Sequence, residues 1–322
     1  MNNPDLAGYA TEALAEEVAQ RIRDMPGNPL HELFYRHGFH LLRKHFYLPI
    51  PDDTDQLDDF WKKPSALAGV EMNDAGALEL MDVVLPPYLA EFSRRFPIQK
   101  PATFSGFWLI NGGYMAVDAH VLYGLVRHNK PRRIIEVGAG NSTLLTTAAI
   151  ETNVSEGAAQ THFTSIDPYP WDMYKQPFPF LTEMITKKIQ DVPLSLFEEL
   201  RHGDILFIDS SHVIRSGNDC HYEYLEILPR LKPGVLVHVH DISLPMPYPK
   251  VYYDSQLYWN EQYLLQAFLA FNSRFEVLWP GNYMMLNYPQ RMMQRFPEIA
   301  DMRAVYPSSE PTAFWMRVKG YH

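Results

Sequence analysis

Apolar residues recur with two different periods along the chain. Residues 5–25 place Leu6, Leu14, Val18 and Ile22 on one stripe with acids opposite, the spacing of an amphipathic helix. The run Met25-Pro26-Gly27-Asn28-Pro29 stops it. A second helical pattern covers residues 31–47 and ends in the prolines and acids of residues 49–53. A third covers residues 75–95, broken at Pro86-Pro87 because proline lacks the amide donor and crowds the preceding turn. A fourth covers residues 114–128, and no strand pattern stands out. Residues 1–130 therefore read as a helical cap and substrate lid.

After Pro131 the period changes. Residues 132–138, 161–167, 204–209 and 234–241 are short apolar runs ending in Gly or Asp, the signature of strands buried on both faces. Residues 184–190 are the candidate for a further strand between the second and third of these. Helical stretches lie between and after them at residues 142–151, 193–200, 219–231 and 256–272, and two β-type segments follow at 275–280 and 312–318. Strands alternating with helices predict βαβ units in a doubly wound, Rossmann-like α/β sheet over residues 131–322.

Composition narrows the function classes. With 46% hydrophobic and 20% charged residues the chain is globular rather than disordered, and 322 residues suit about two domains. Residues 101–117 form the longest uncharged stretch near the middle, but Pro101, Gly106, Asn111, Gly112 and Gly113 interrupt it, so no membrane span is expected. The N-terminus lacks the basic and apolar regions of a secretory leader. One cysteine, Cys220, excludes an internal disulfide and a cysteine zinc cluster, and fits a cytoplasmic protein. A net charge of -10 argues against nucleic acid as partner. The expectation is a protein acting on a small-molecule acceptor, with homo-oligomer formation left open.

The densest chemical signal runs from Ile134 to Thr143. An apolar strand carries an acid, Glu136, and is followed by Gly138-Ala139-Gly140 and a helix start at Asn141-Ser142. Glycines let backbone pass close under a ligand, and the helix start offers free N–H groups. The third glycine of the dinucleotide fingerprint is replaced by Asn141 and Ser142, and a plain strand-to-helix turn is the alternative. With Glu136 two residues before the first glycine, this segment resembles class I S-adenosylmethionine (SAM) methyltransferases. The resemblance extends over residues 131–318. It implies SAM as cofactor, with Glu136, Gly138, Ala139, Gly140, Asn141 and Ser142 near its methionyl part. It also implies Asp167 on the ribose, Gln190 and Asp191 near the adenine, Asp209 ending the fourth strand, and an antiparallel last strand. Residues 39–52, 204–213, 236–245 and 259–272 further resemble a group of bacterial methyltransferase-domain proteins with a helical N-terminal region.

A second constellation concerns the acceptor. His238, His240 and Asp241 end the fifth strand, where a doubly covered sheet should be apolar, and Asp209 and His212 end the fourth. In catechol-type O-methyltransferases, which the chain resembles more distantly, an Asp after the fourth strand and an Asp-Asn pair after the fifth bind a divalent metal. Here Asp209 matches the first, while His240 and Asp241 replace the pair. Imidazole favours iron, zinc or manganese over magnesium. Without metal, His212 or His240 would act as general base; as core groups, the histidines would instead be hydrogen-bonded, the reading preferred for His238. His37 and His40 at a three-residue spacing suggest a shared helix face, and His45 with Tyr47 a place toward the acceptor. Tyr252, Tyr253, Tyr258 and Trp259 suit stacking on a planar acceptor, or plain core packing. Asn111, Tyr114 and Asp118 are candidates for the methionine end of SAM, by the family's use of a preceding helix. The reading is a SAM-dependent methyltransferase, O-methylating a small molecule through Asp209, His212, His240 and Asp241. Its rivals are an iron enzyme built on Asp209, His212 and His240, and a SAM-binding protein without turnover.

Overall fold

In the computed structural model, which describes residues 11–24, 29–41, 47–51, 59–103 and 105–320, the apolar runs after residue 131 become one seven-stranded sheet. Its strands are β1 (Arg133–Val137), β2 (His162–Ile166), β3 (Glu183–Ile185), β4 (Ile205–Ile208), β5 (Leu236–Val239), β6 (Phe275–Pro280) and β7 (Phe314–Val318). They lie in the order β3-β2-β1-β4-β5-β7-β6. The first five pair in parallel, and β7 runs antiparallel to both β5 and β6. The reversal is thus confined to β7. Every residue of β4 and β5 is buried, His238 of β5 included, as a sheet covered on both faces requires. One face of the sheet packs Ile134, Phe207 and Trp315 with Phe92, Tyr123 and Leu145. The other packs Ile135, Leu206 and Val237 with Ile227, Leu265 and Phe314.

The chain divides into two compact units, Met1–Asp55 and Gln56–His322. The first contains α1 (Thr11–Asp24) and α2 (Pro29–Arg36). Leu6, the breaker residues Met25-Pro26-Gly27-Asn28 and His45 lie outside the described residues. Because α2 ends at Arg36, His37 and His40 follow it as exposed residues and share no helix face, contrary to expectation.

The second unit opens with α3 (Asp74–Glu79), a wide π turn at Leu80–Val84, α4 (Pro86–Arg95) and α5 (Asp118–Asn129). The expected break falls at Pro86, which starts α4, a position where its missing amide costs nothing. α4 packs on α5, and α5 on α6 (Asn141–Ser155), so residues 56–130 belong to the same unit as the sheet, and residue 130 is no boundary between units. The remaining helices are α7 (Leu194–Glu198), α8 (Asp219–Tyr222), α9 (Lys250–Asp254), α10 (Glu261–Leu269), α11 (Gly281–Asn287), α12 (Pro289–Arg295) and α13 (Ile299–Val305).

Three expected elements differ. The strand over 184–190 shrinks to three residues, because β3 is an edge strand paired only with β2, and a 3-10 turn follows at Ile189–Asp191. The helix over 219–231 becomes α8, a π turn and a 3-10 turn carrying Pro229. The helix over 256–272 starts at Glu261, because the backbone amides of Asn260 and Glu261 donate to the His212 carbonyl instead of to a preceding turn. Among the described residues no helix is long and apolar enough to cross a membrane.

Candidate active site

Strand order reverses between β1 and β4, so their carboxyl ends open a crevice. β1 leads into Gly138, whose φ is +87°, and a Cβ there would lie 2.2 Å from the Asp209 carbonyl oxygen. Only glycine lets the two strand ends approach this closely. The Gly138 amide donates to Ile166 O at 2.9 Å, and the Gly140 amide donates to Thr143 Oγ1 at 3.0 Å. The hydroxyls of Ser142, Thr143 and Ser165 all donate to the Glu136 carboxylate, at 2.7, 2.6 and 2.9 Å. Glu136 is buried, and despite these donors desolvation pushes its carboxyl up to about 7. It anchors the glycine turn and lines none of the cavities described below.

Asp167 accepts the Ala139 amide on Oδ2 at 2.9 Å and the Tyr169 amide on Oδ1 at 2.6 Å. Each oxygen keeps one lone-pair site. Asp167 lines a cleft of about 740 Å³ together with Gln190, Asp209 and two cations, Lys188 and Arg215. Gln190 also donates to Gly217 O at 3.4 Å. Asp191, expected beside it, is exposed at the end of its 3-10 turn and does not line the cleft.

A second cavity of about 330 Å³ shares Gly138, Asp167 and Asp209 with this cleft. Ala139, Gly140, Asn141 and Ser142 form one side, with Tyr114, Trp171, His240 and Asp241 around them. The Tyr114 hydroxyl and Asn141 Oδ1 are buried with no hydrogen-bond partner. A third cavity of about 650 Å³ shares Gly113 and Asp241 with the second. Part of its wall comes from Tyr306 and Glu310, in a connection from α13 to β7 that carries no motif or period to flag it, and from Thr312, the start of the expected last β segment. Asp118 lines this cavity while accepting the backbone amide of Thr312 at 3.0 Å, which ties the start of α5 to the approach to β7. Asn111 lines none of the three. Its side chain donates to Trp108 O and Tyr114 O and accepts the Gly113 and Tyr114 amides, fixing the Gly112-Gly113 turn.

The titratable groups gather where the cavities meet. His212 Nδ1 lies 2.9 Å from Glu261 Oε2, and its Nε2 lies 3.3 Å from Asp209 Oδ1 and 3.5 Å from Asp241 Oδ2. Both His212 and Asp241 have left-handed backbone, with φ of +57° and +55°, an unfavourable conformation for non-glycine residues that concentrates at functional sites. Burial alone would lower the His212 pKa, but Asp209 and Glu261 hold it well above the usual imidazole range. Burial alone would raise Asp209, but His240 and His212 bring it below the usual carboxylate range. For His240 burial opposes ionisation, and Asp241, Asp209 and Asp118 outweigh it, so its pKa is raised.

His240 Nε2 is 3.8 Å from Asp241 Oδ1, and its ring packs 4.8 Å from that of Tyr114. The expected ligand trio with His240 is not brought together: among the described residues, the groups whose donor atoms all lie within 4.8 Å are Asp209, His212 and Asp241, and, deeper in the fold, Cys220, Glu223 and Glu261. Glu261 was not legible as a site residue, because an acid within the expected helix over 256–272 reads as solvated. It is fully buried, with Tyr224 donating to its other oxygen at 3.1 Å. Behind it lie Glu223, raised by burial, and fully buried Cys220, whose sulfur sits 3.7 Å from Ser210 Oγ and whose thiol burial pushes up. His238 is a core residue, as preferred, but without the expected hydrogen bonds: its ring stacks 4.1 Å from Phe207, and burial lowers its pKa well below the usual range. Trp259 lies 4.4 Å from His212, and Tyr252 lies 4.7 Å from Trp259.

Residues 135–242, from β1 to just past β5, match a family model described as a methyltransferase domain. The sheet around them has the matching order, five parallel strands extended by a reversed β7. The match and the sheet together support a class I methyltransferase domain here. A protein of Archaeoglobus fulgidus, described only as uncharacterized, is 26% identical over 169 residues, half of this chain and 74% of its own length.

A methyltransferase domain of this class implies SAM as cofactor. The residues of the domain fit it. The unpartnered Tyr114 hydroxyl and Asn141 Oδ1 offer a donor and an acceptor beside the glycine turn, and Asp167 retains acceptor capacity for two hydroxyls. The Asp209, His212 and Asp241 cluster also fits a divalent metal, with two carboxylates and one imidazole. A metal-ligating histidine commonly donates its other ring N–H to a carboxylate, and Glu261 is placed to receive it.

Proposed function

We propose that this protein is a SAM-dependent methyltransferase acting on a hydroxyl oxygen of a small molecule, assisted by a divalent metal at Asp209, His212 and Asp241. The observation that supports it is the serial arrangement of three cavities, with Asp209 shared by the first two and Asp241 by the last two. Adenosine occupies the cleft at Asp167, the methionyl part lies against Gly138 to Ser142, and the acceptor lies in the third cavity. The acceptor oxygen gives an electron pair to the methyl carbon. The carbon–sulfur bond breaks with its pair on sulfur, and the sulfonium becomes a neutral thioether. The hydroxyl proton passes to Asp241 and leaves through the acceptor cavity. Because the sulfonium is already activated, this chain's residues need only align the pair and release that proton. A metal bound here would lower the hydroxyl pKa. The cluster gathers one histidine with two carboxylates, which favours this reading over a two-histidine iron site.

The test is calorimetric titration of metal-analysed protein with SAM and its demethylated product, for the wild type and Asp167→Asn. Micromolar binding that weakens about tenfold in the variant is expected, a loss of about 1.4 kcal/mol at a charge-assisted hydrogen bond. Absence of binding to folded protein would overturn the proposal. Retained SAM binding in a protein that takes up no divalent ion would remove the metal from it.

A further inference from the structure

We infer that the acceptor is a planar aromatic molecule carrying no phosphate or carboxylate, an inference that rests on the proposed function above. The third cavity is lined by Trp61, Tyr252, Trp259 and Tyr306, with Met115 and Met302 adding polarisable thioethers. Flat rings and thioethers both favour aromatic ligands, through offset or edge packing and sulfur–ring contact. Tyr252 and Trp259 meet edge to face at 4.7 Å, and Trp259 continues to the His212 ring at 4.4 Å. The aromatic wall therefore runs directly to the cluster at the end of the methyl-donor cavity. A ring held against it would carry its hydroxyl to Asp241.

Charge sets the second half of the inference. Among the described residues, the charged groups lining this cavity are all acids: Asp118, Asp241 and Glu310. Outside the wall, Arg303 is engaged with both oxygens of Glu310, and His212 and His240, 3.5 and 3.8 Å from Asp241, are already set against the acids of the cluster and do not line the cavity. By contrast, the cleft at Asp167 is provided with Lys188 and Arg215. An anionic acceptor would lose water and face like charges with no counter-ion from the wall, which disfavours it. A neutral phenol meets no such opposition, and a cationic side arm would find acids and ring faces.

The experiment uses the full-length protein, stripped of metal with chelator so that only the wall is read, and saturated with the demethylated product of SAM. Ligand-observed NMR titrations compare three phenols of similar size: p-cresol, tyramine and 4-hydroxyphenylacetate. A saturated ring, 4-methylcyclohexanol, is the shape control. The expected result is that p-cresol and tyramine bind at least tenfold more tightly than 4-hydroxyphenylacetate, and p-cresol at least fivefold more tightly than the saturated alcohol. Tyr252→Ala is expected to weaken p-cresol about fivefold. Equal or tighter binding of the anion, equal binding of the saturated ring, or no phenol binding to product-saturated protein would each overturn the inference. Failure of the product itself to bind would instead overturn the methyl-donor reading, and this inference with it.

Discussion

Glu136 carries three hydroxyl donors on a carboxylate with no solvent contact, yet burial still raises its pKa to about 7. An unfolded glutamate titrates near about 4.3. Between those values the folded state holds a proton that the unfolded chain has released. The contribution of Glu136 to stability is therefore full below the window and declines as pH rises through it. Glu136→Gln is expected to flatten the stability–pH curve between about pH 4.5 and 7, and to gain on the order of 1–3 kcal/mol at pH 8 in urea unfolding. A variant curve parallel to the wild type would show that the carboxylate is not the group responsible. An acid in a buried strand was visible in the sequence, but its partners were only partly so. Ser142 and Thr143 are neighbours in sequence, whereas Ser165 arrives because the β1–β2 register sets it opposite Glu136. His212 shows the same limit: its partner Glu261 lies 49 residues away, brought in by the fold alone.

Local elements were legible where pattern and length agree. The four long apolar runs became β1, β2, β4 and β5, and the proline break fell between the π turn and α4. Elements shaped by tertiary contacts were not: β3 is cut short at the sheet edge, α10 starts late because the loop after β4 takes its first amides, and α11–α13 went unread. The glycine turn after β1 is the element on which the site depends most, and two glycines of nearly equal φ separate its causes. Gly138 has φ +87° and no room for a Cβ, whereas Gly157 has φ +88° and nothing within 4 Å. Gly157→Ala should cost only the left-handed backbone, about 1–2 kcal/mol. Gly138→Ala should cost at least twice that, because the Asp209 carbonyl must move, and SAM affinity should fall with it. Similar unfolding midpoints for the two variants would contradict this account.

For the molecule as a whole, the described residues lining the three cavities lie between Trp61 and Thr312, within the unit Gln56–His322. A chain starting at Gln56 is therefore expected to unfold cooperatively and to bind SAM within about threefold of the full chain, a difference below about 0.7 kcal/mol. Loss of binding would show that residues before Gln56 complete the cofactor site. Cys220 gives this unit a clock of its own. It is the one sulfhydryl of the chain, fully buried and lying against Ser210, which lines the cleft at Asp167. An aromatic disulfide reagent can reach it only when that region opens, so the rate of colour release measures the opening equilibrium directly. Labelling should be at least a hundredfold slower in buffer than in urea, and slower again as SAM is added, by the factor that mass action predicts from its affinity. The single thiol thus turns an unlabelled, unmodified protein into its own reporter of ligand occupancy.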